Sequence, residues 1–219
     1  MVRTLLVSAA TLFVATLSSQ PASAGVITFT FGGSGVDGIV TLTYGAATDA
    51  KYAEAFEVTG ISGTFSDSNN GLNIVDAPIG ALVPITHDAP EATNLLAPND
   101  FSRFAVANGL SPQNNGFLTY DNLYYPGGSP QTASDYPFHG GILDIYGLMF
   151  EIGGGRVVNL WSNGDFGGGP TYGVAVATHD QALDYVGDVA VKAVPEPALL
   201  SLLGSGVVGL VMRRRARRP

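Results

Sequence analysis

Between residues 25 and 194 the chain is built of short stretches rich in β-branched and aromatic residues, separated by breaks rich in glycine, asparagine and aspartate. Val26-Ile27-Thr28-Phe29-Thr30-Phe31 and Ile39-Val40-Thr41-Leu42-Thr43-Tyr44 read as two strands. Gly32 to Gly38 would link them as a hairpin whose loop is longer than the tightest kind. Lys51 to Gly60, with Ala53, Phe56 and Val58, fits a strand or a helical turn, and the continuation through Thr59 to Phe65 favours the strand. Ser66-Asp67-Ser68-Asn69-Asn70-Gly71 has plain turn chemistry.

From Leu72 to Pro137 the pattern breaks down. Prolines at 78, 84, 90, 98, 112, 126, 130 and 137 forbid long helices and cut any strand short. Two aromatic pieces, Phe117-Leu118-Thr119-Tyr120 and Leu123-Tyr124-Tyr125, can still pack on a sheet. After Gly141 regularity returns, and Ile142 to Ile152, Val157 to Ser162, Tyr172 to Ala177 and Val186 to Val191 predict a four-stranded meander. Its turns, Gly153 to Gly155, Asn163 to Gly169 and His179 to Asp184, have suitable residues. The expectation is an all-β fold, a single β-sandwich with the jelly roll as one form of it.

The two ends differ from this body. Arg3, the apolar run Leu5 to Leu17 and the small-residue site Ala22-Ser23-Ala24 form a signal-peptide pattern over residues 1–24, with Gly25 the first residue after cleavage. At the other end, Val194-Pro195-Glu196-Pro197 precedes an uncharged run from Ala198 to Met212 and a basic end of Arg213, Arg214, Arg215, Arg217 and Arg218. As a helix the run reaches about 22 Å, short of the roughly 30 Å hydrocarbon core, and so predicts a single, marginal transmembrane helix. The arginines should stay cytoplasmic and leave the body outside. Pro195 and Pro197 exclude helix on their own side, so the motif should be extended and open to a processing enzyme. Ser201, Ser205 and Gly209 recur every fourth residue, as in close helix contacts, although small residues are common in such spans.

A Pro-Glu-Pro motif, an apolar segment and a basic end, in that order, resemble the PEP-CTERM sorting signal of Gram-negative bacteria, a module also described as the ice-binding protein C-terminal domain. The resemblance covers residues 194–219 and leaves 25–193 as the exported domain. It implies a membrane-embedded exosortase-type protease as a partner, beside signal peptidase, then release or transfer to the cell surface, often in bacteria that make exopolysaccharide. The opening Thr-Phe-Thr-Phe strand, Asp121 to Pro126 and Val158 to Phe166 also resemble bodies of other exported PEP-CTERM proteins, and that resemblance carries no catalytic residues.

Charge narrows what the body binds. Of the 18 acidic residues only Glu196 lies outside it, and its 17 carboxylates face only Lys51, Arg103, Arg156 and Lys192, a formal charge of −13. That balance repels nucleic acid and anionic lipid. Cysteine is absent, which excludes disulfides and thiolate chemistry.

No nucleophile elbow, zinc-protease motif or phosphate loop is present, so no catalytic residue is assigned. His87, His139 and His179 read as loop histidines. A glycosidase-type carboxylate pair would show itself only in space. Asn163-Gly164-Asp165 and the Asp67 to Asn70 turn offer oxygens of the kind calcium takes, but read first as Asx-Gly turns, and no metal or other cofactor is assigned. Trp161, with Tyr124 and Tyr125 and with Tyr136 and Tyr172 elsewhere, would make a glycan-stacking platform if the rings were exposed together. Val157, Val158 and Leu160 favour burial of Trp161 instead. Thr28-x-Thr30 and Thr41-x-Thr43 are two short rows, as in any amphipathic hairpin. Three functions follow in order: a non-enzymatic surface or matrix protein associated with exopolysaccharide, a carbohydrate-binding module, and a secreted hydrolase.

Overall fold

The structure, a computed structural model, describes residues 24–88, 95–108, 116–134 and 139–194. The signal-peptide pattern up to Ser23, Tyr136, the Pro195-Glu196-Pro197 motif, the apolar span and the arginine end lie outside the described residues. Among the described residues no helix is long and apolar enough to cross a membrane.

Strands β1 (Gly25–Gly33) and β2 (Val36–Thr48) form the first hairpin, and its turn is the tightest kind rather than the longer loop expected from its glycines. The ladder continues to Gly33 opposite Val36, leaving only Ser34 and Gly35 unpaired. Their φ values of 52° and 87° are the left-handed pair that twists two strands into register. Strand β3 (Phe56–Asp67) then runs along β2. Lys51 to Ala55 is not strand, because Asp49 Oδ1 accepts the Lys51 and Tyr52 N–H groups at 2.8 and 2.9 Å and curls the chain. The predicted turn begins only after Asp67, as a 3-10 turn at Asn69–Gly71, and leads into β4 (Ile74–Pro78).

The meander of the second half is present as β8 (Leu148–Glu151), β9 (Val157–Asp165), β10 (Pro170–Ala177) and β11 (Ala182–Val194). Ile142 to Gly147 falls outside it, since Asp144 Oδ1 accepts the Tyr146 and Gly147 N–H groups and turns the chain. Between the halves lie β5 (Ser102–Ala105), β6 (Phe117–Tyr120) and the two-residue β7 (Leu123–Tyr124), which pairs with β3.

The main sheet has the antiparallel order β4-β3-β2-β1-β11-β10-β9-β8. Its two ends meet. Gly80 donates to Glu151 at 2.8 Å, Glu151 to Ala81 at 2.9 Å and Val83 to Met149 at 2.8 Å, around the bridge Leu82 to Phe150. One sheet therefore curls until its walls face each other as the layers of a sandwich do. Within β1 to β4 and within β8 to β11 neighbours follow chain order as in an up-and-down meander, and the two meanders join where β1 pairs with β11, while β7 pairs with β3.

Phe29, Phe31, Val40, Leu42 and Phe65 from one wall and Phe150, Val158, Leu160, Val174 and Val176 from the other fill the interior. A second core lies outside the barrel, where the β5–β6 hairpin covers β8 to β10 with Phe104, Leu118 and Tyr120 against Met149, Trp161 and Ala175. Strands β9 and β10 are thus apolar on both faces, which explains their near-continuous burial. Gly173 makes this possible, since a Cβ there would stand 2.1 Å from Trp161 Cζ2.

Strand directions sort the loops to two ends. Val194 lies opposite Thr28, three residues from Gly25, so both expected processing points leave the same end of the barrel. That tail end also holds the β2–β3 and β9–β10 loops and both ends of the irregular segment 84–147. The opposite, turn end holds the β1–β2, β3–β4, β8–β9 and β10–β11 connections.

Candidate functional site

At the tail end the irregular segment buries charge. Asp144 is 1% exposed and Asp121 2% exposed, and the two carboxyls face each other. Local turns fix both: Asp121 Oδ1 accepts the Leu123 N–H at 3.0 Å, and Asp144 Oδ1 accepts those of Tyr146 at 2.8 Å and Gly147 at 3.0 Å. The Tyr125 hydroxyl donates to Asp144 Oδ2 at 3.3 Å. Asp121 Oδ2 has no hydrogen-bond partner, and neither has the Thr132 hydroxyl, although it lies against the Asp144 carboxyl. Burial, and then the Asp144 charge, hold the Asp121 carboxyl well above the ordinary range. Burial also raises Asp144, against the hydrogen bonds it accepts. Nearby, Asp49 is saturated by backbone, its Oδ2 taking the Asn99 N–H at 3.0 Å.

A second acidic pair sits at the turn end. Asp184 on β11 receives the Asn70 amide at 2.7 Å and the Asn69 amide at 2.9 Å. Asp67 Oδ1 accepts the Asn69 N–H at 2.8 Å, while its Oδ2 lacks a partner. Burial is the largest cause of its raised pKa, with the Asp184 charge adding to it.

A cleft of about 320 Å³ opens on the side, lined among others by Glu57, Pro84, His87, Asp100, Asp121 and Leu123. His87 Nδ1 stands 2.8 Å from Asp100 Oδ1, and both are well exposed. Among the described residues that line it there is no serine, threonine or cysteine, and its carboxylates are Glu57, Asp100 and Asp121. His179 instead stacks on Phe104 at 4.1 Å, and Asp88 faces Arg103 at 3.7 Å.

The residues singled out for glycan contact are placed otherwise. Trp161 is 7%, Tyr124 6% and Tyr125 0% exposed, so they form no stacking platform. Apolar neighbours on both faces of β9 bury the indole, while Tyr124 packs on Tyr44 at 5.0 Å. Sequence reasoning missed Tyr185, an exposed ring 5.4 Å from Trp161, because a tyrosine in a strand pattern does not reveal its side. Of the two turns considered for calcium, the later one is engaged internally: Asn163 accepts from Trp161 Nε1 at 3.0 Å and donates to Gly187, and Asp165 takes the Gly167 and Gly169 N–H groups, whereas in the earlier one Asp67 Oδ2 is without a partner. Those backbone donors lower the Asp165 pKa. Among the described residues no group of three or more histidines or carboxylates is spaced to hold a metal ion.

Of the sorting residues, Val194 closes β11 and is exposed, and Gly25 opens β1. No curated protein and no solved structure matches the chain. Residues 193–217 match the family model described as the PEP-CTERM protein-sorting motif. The match starts at the end of β11, a strand paired on both sides, so the motif follows directly on the folded barrel. The chain therefore carries a PEP-CTERM sorting tail, the mark of an exported protein processed by an exosortase.

Proposed function

We propose that the barrel is a non-enzymatic module of the cell surface or extracellular matrix, delivered by its tail and associated with exopolysaccharide and the envelope. The observation that carries this reading is the sorting motif at residues 193–217, placed where β11 leaves the barrel. The exit of both processing points from one end supports it, since the body can then hang from the membrane by that end until it is cut. The described lining of the side cleft offers no serine, threonine or cysteine, which gives no support to hydroxyl- or thiol-based covalent catalysis.

The test is mass spectrometry of the protein from envelope and medium, in cells with and without the processing protease. The expected result is a chain that begins at Gly25 and ends near Pro195 only when the protease is present. An intact tail in both strains would make the segment a permanent anchor and overturn the sorting reading. Polysaccharide pull-down, with Tyr185→Ala as control, separates a glycan-binding role from an architectural one.

A second reading, hydrolysis in the cleft, is favoured by the His87–Asp100 pair, which orients an imidazole as a general base requires. It predicts that His87→Ala abolishes any polysaccharide-cleaving activity of the exported protein, read as new reducing ends.

A further inference from the structure

The carboxyls of Asp121 and Asp144 are almost wholly buried against each other, with no lysine or arginine among the groups that hydrogen-bond to them. Two carboxylates placed so leave charge that must be neutralised. A single proton shared between them gives Asp121 Oδ2 a role, but leaves one negative charge in the interior. A divalent cation neutralises both carboxylates and offers the Thr132 oxygen a bond.

We propose that Asp121, Asp144 and Thr132 bind a hard divalent cation, calcium first, where the irregular segment meets the barrel. The unpartnered atoms, Asp121 Oδ2 and Thr132 Oγ1, belong to side chains that are 2% and 1% exposed, and Thr132 lies against the Asp144 carboxyl. The donors are all oxygen, which selects calcium or magnesium over softer metals. Two carboxylates match a divalent charge. The body's charge of −13 draws cations toward it.

The site has a structural consequence. Asp121 precedes β7, Asp144 ends the long excursion before β8, and Thr132 lies between them, so one ion would tie three points of segment 84–147 together. In a chain without cysteine such a clip takes the place of a disulfide.

The experiment uses the exported protein purified from its host and dialysed into metal-free buffer, then into millimolar calcium. Elemental analysis should find one calcium per chain, and the midpoint of thermal unfolding should rise by about 4 °C or more. Bound terbium should luminesce when tyrosine is excited, since Tyr125 touches Asp144. Asp121→Asn, which mimics a permanently protonated carboxyl and so keeps the pair folded, should lose the ion and the calcium response. Thr132→Val, close in shape, should weaken binding about tenfold or more. Asp184→Asn, at the other acidic pair, should leave all three readouts unchanged.

Absence of calcium from the folded wild type, with an unfolding midpoint the same in calcium and in chelator, would overturn the proposal in favour of the shared proton. Stoichiometric calcium in Asp121→Asn, or its loss in Asp184→Asn alone, would overturn the assignment to this site.

Discussion

The two buried acidic pairs are built from the same residue type at opposite ends of one barrel, and the chain deals with them differently. At the turn end Asp184 is given two side-chain amides, from Asn69 and Asn70, so polar donors from the neighbouring turn spread its charge. At the tail end Asp121 and Asp144 receive mainly backbone N–H groups on their outer oxygens, while the inner ones are left to each other, Tyr125 and Thr132. Where a carboxylate is fixed by amides it is a turn anchor. Where an oxygen is buried unpaired, as at Asp121 Oδ2 and at Asp67 Oδ2, the pair requires a further positive charge or a proton, and at the turn end the Asn69 and Asn70 amides on Asp184 lessen that need.

The largest effect is expected at Asp144. Asp144→Ala leaves the Tyr146 and Gly147 N–H groups and the Tyr125 hydroxyl without an acceptor, and should cost about 3–5 kcal/mol in urea unfolding. The irregular segment should open first, seen as fast amide exchange around Leu123 and Gly147.

Next in size is the response to pH without divalent cations. The folded pKa values of Asp121, Asp144 and Asp67 are raised, so the native state binds more protons than the unfolded chain. Stability from these groups is then full below the unfolded carboxylate value of about 3.9 and falls as pH rises through their folded values. Unfolding midpoints measured from acid toward neutral pH should decline. Asp121→Asn should flatten most of that slope, and wild type that stays level across the range would contradict it.

At the other pair, Asn70→Ala removes one amide from Asp184 and should cost about 1–2 kcal/mol in the same unfolding assay, alike with and without calcium. The smallest effect is expected for Tyr125→Phe, which deletes a long 3.3 Å hydrogen bond and should cost about 0.5–1 kcal/mol. Calcium should recover the larger part of that loss.

Much of the strand content is legible in the residues themselves. The Thr-Phe-Thr-Phe strand and its Ile39 to Tyr44 partner pair as their composition indicates, and the late meander forms with shorter turns than expected, Asn163 to Asp165 extending β9 and Ala182 to Asp184 opening β11, since β-branched and aromatic residues suit a pleated surface wherever it lies. Where local side-chain bonds compete with the ladder, composition misleads: Asp49 curls Lys51 to Ala55 ahead of an apolar strand, and Asp144 curls Ile142 to Gly147 although apolar residues dominate it. The acidic centre is illegible for another reason. Asp121 and Asp144 stand far apart in the chain, each beside an ordinary turn, and only the folding of segment 84–147 onto the barrel brings them face to face.

The sequence by itself determined the sorting tail, the absence of disulfides, the acidic charge and the all-β class, because each depends on local composition or order along the chain. The tertiary structure decided that one sheet closes on itself through Leu82 and Phe150, that Trp161 is buried over Gly173, and that Gly25 and Val194 share an end. It also decided which carboxylates lose their water. These depend on contacts between distant segments, and the energy of such contacts is set by what each side chain meets in space.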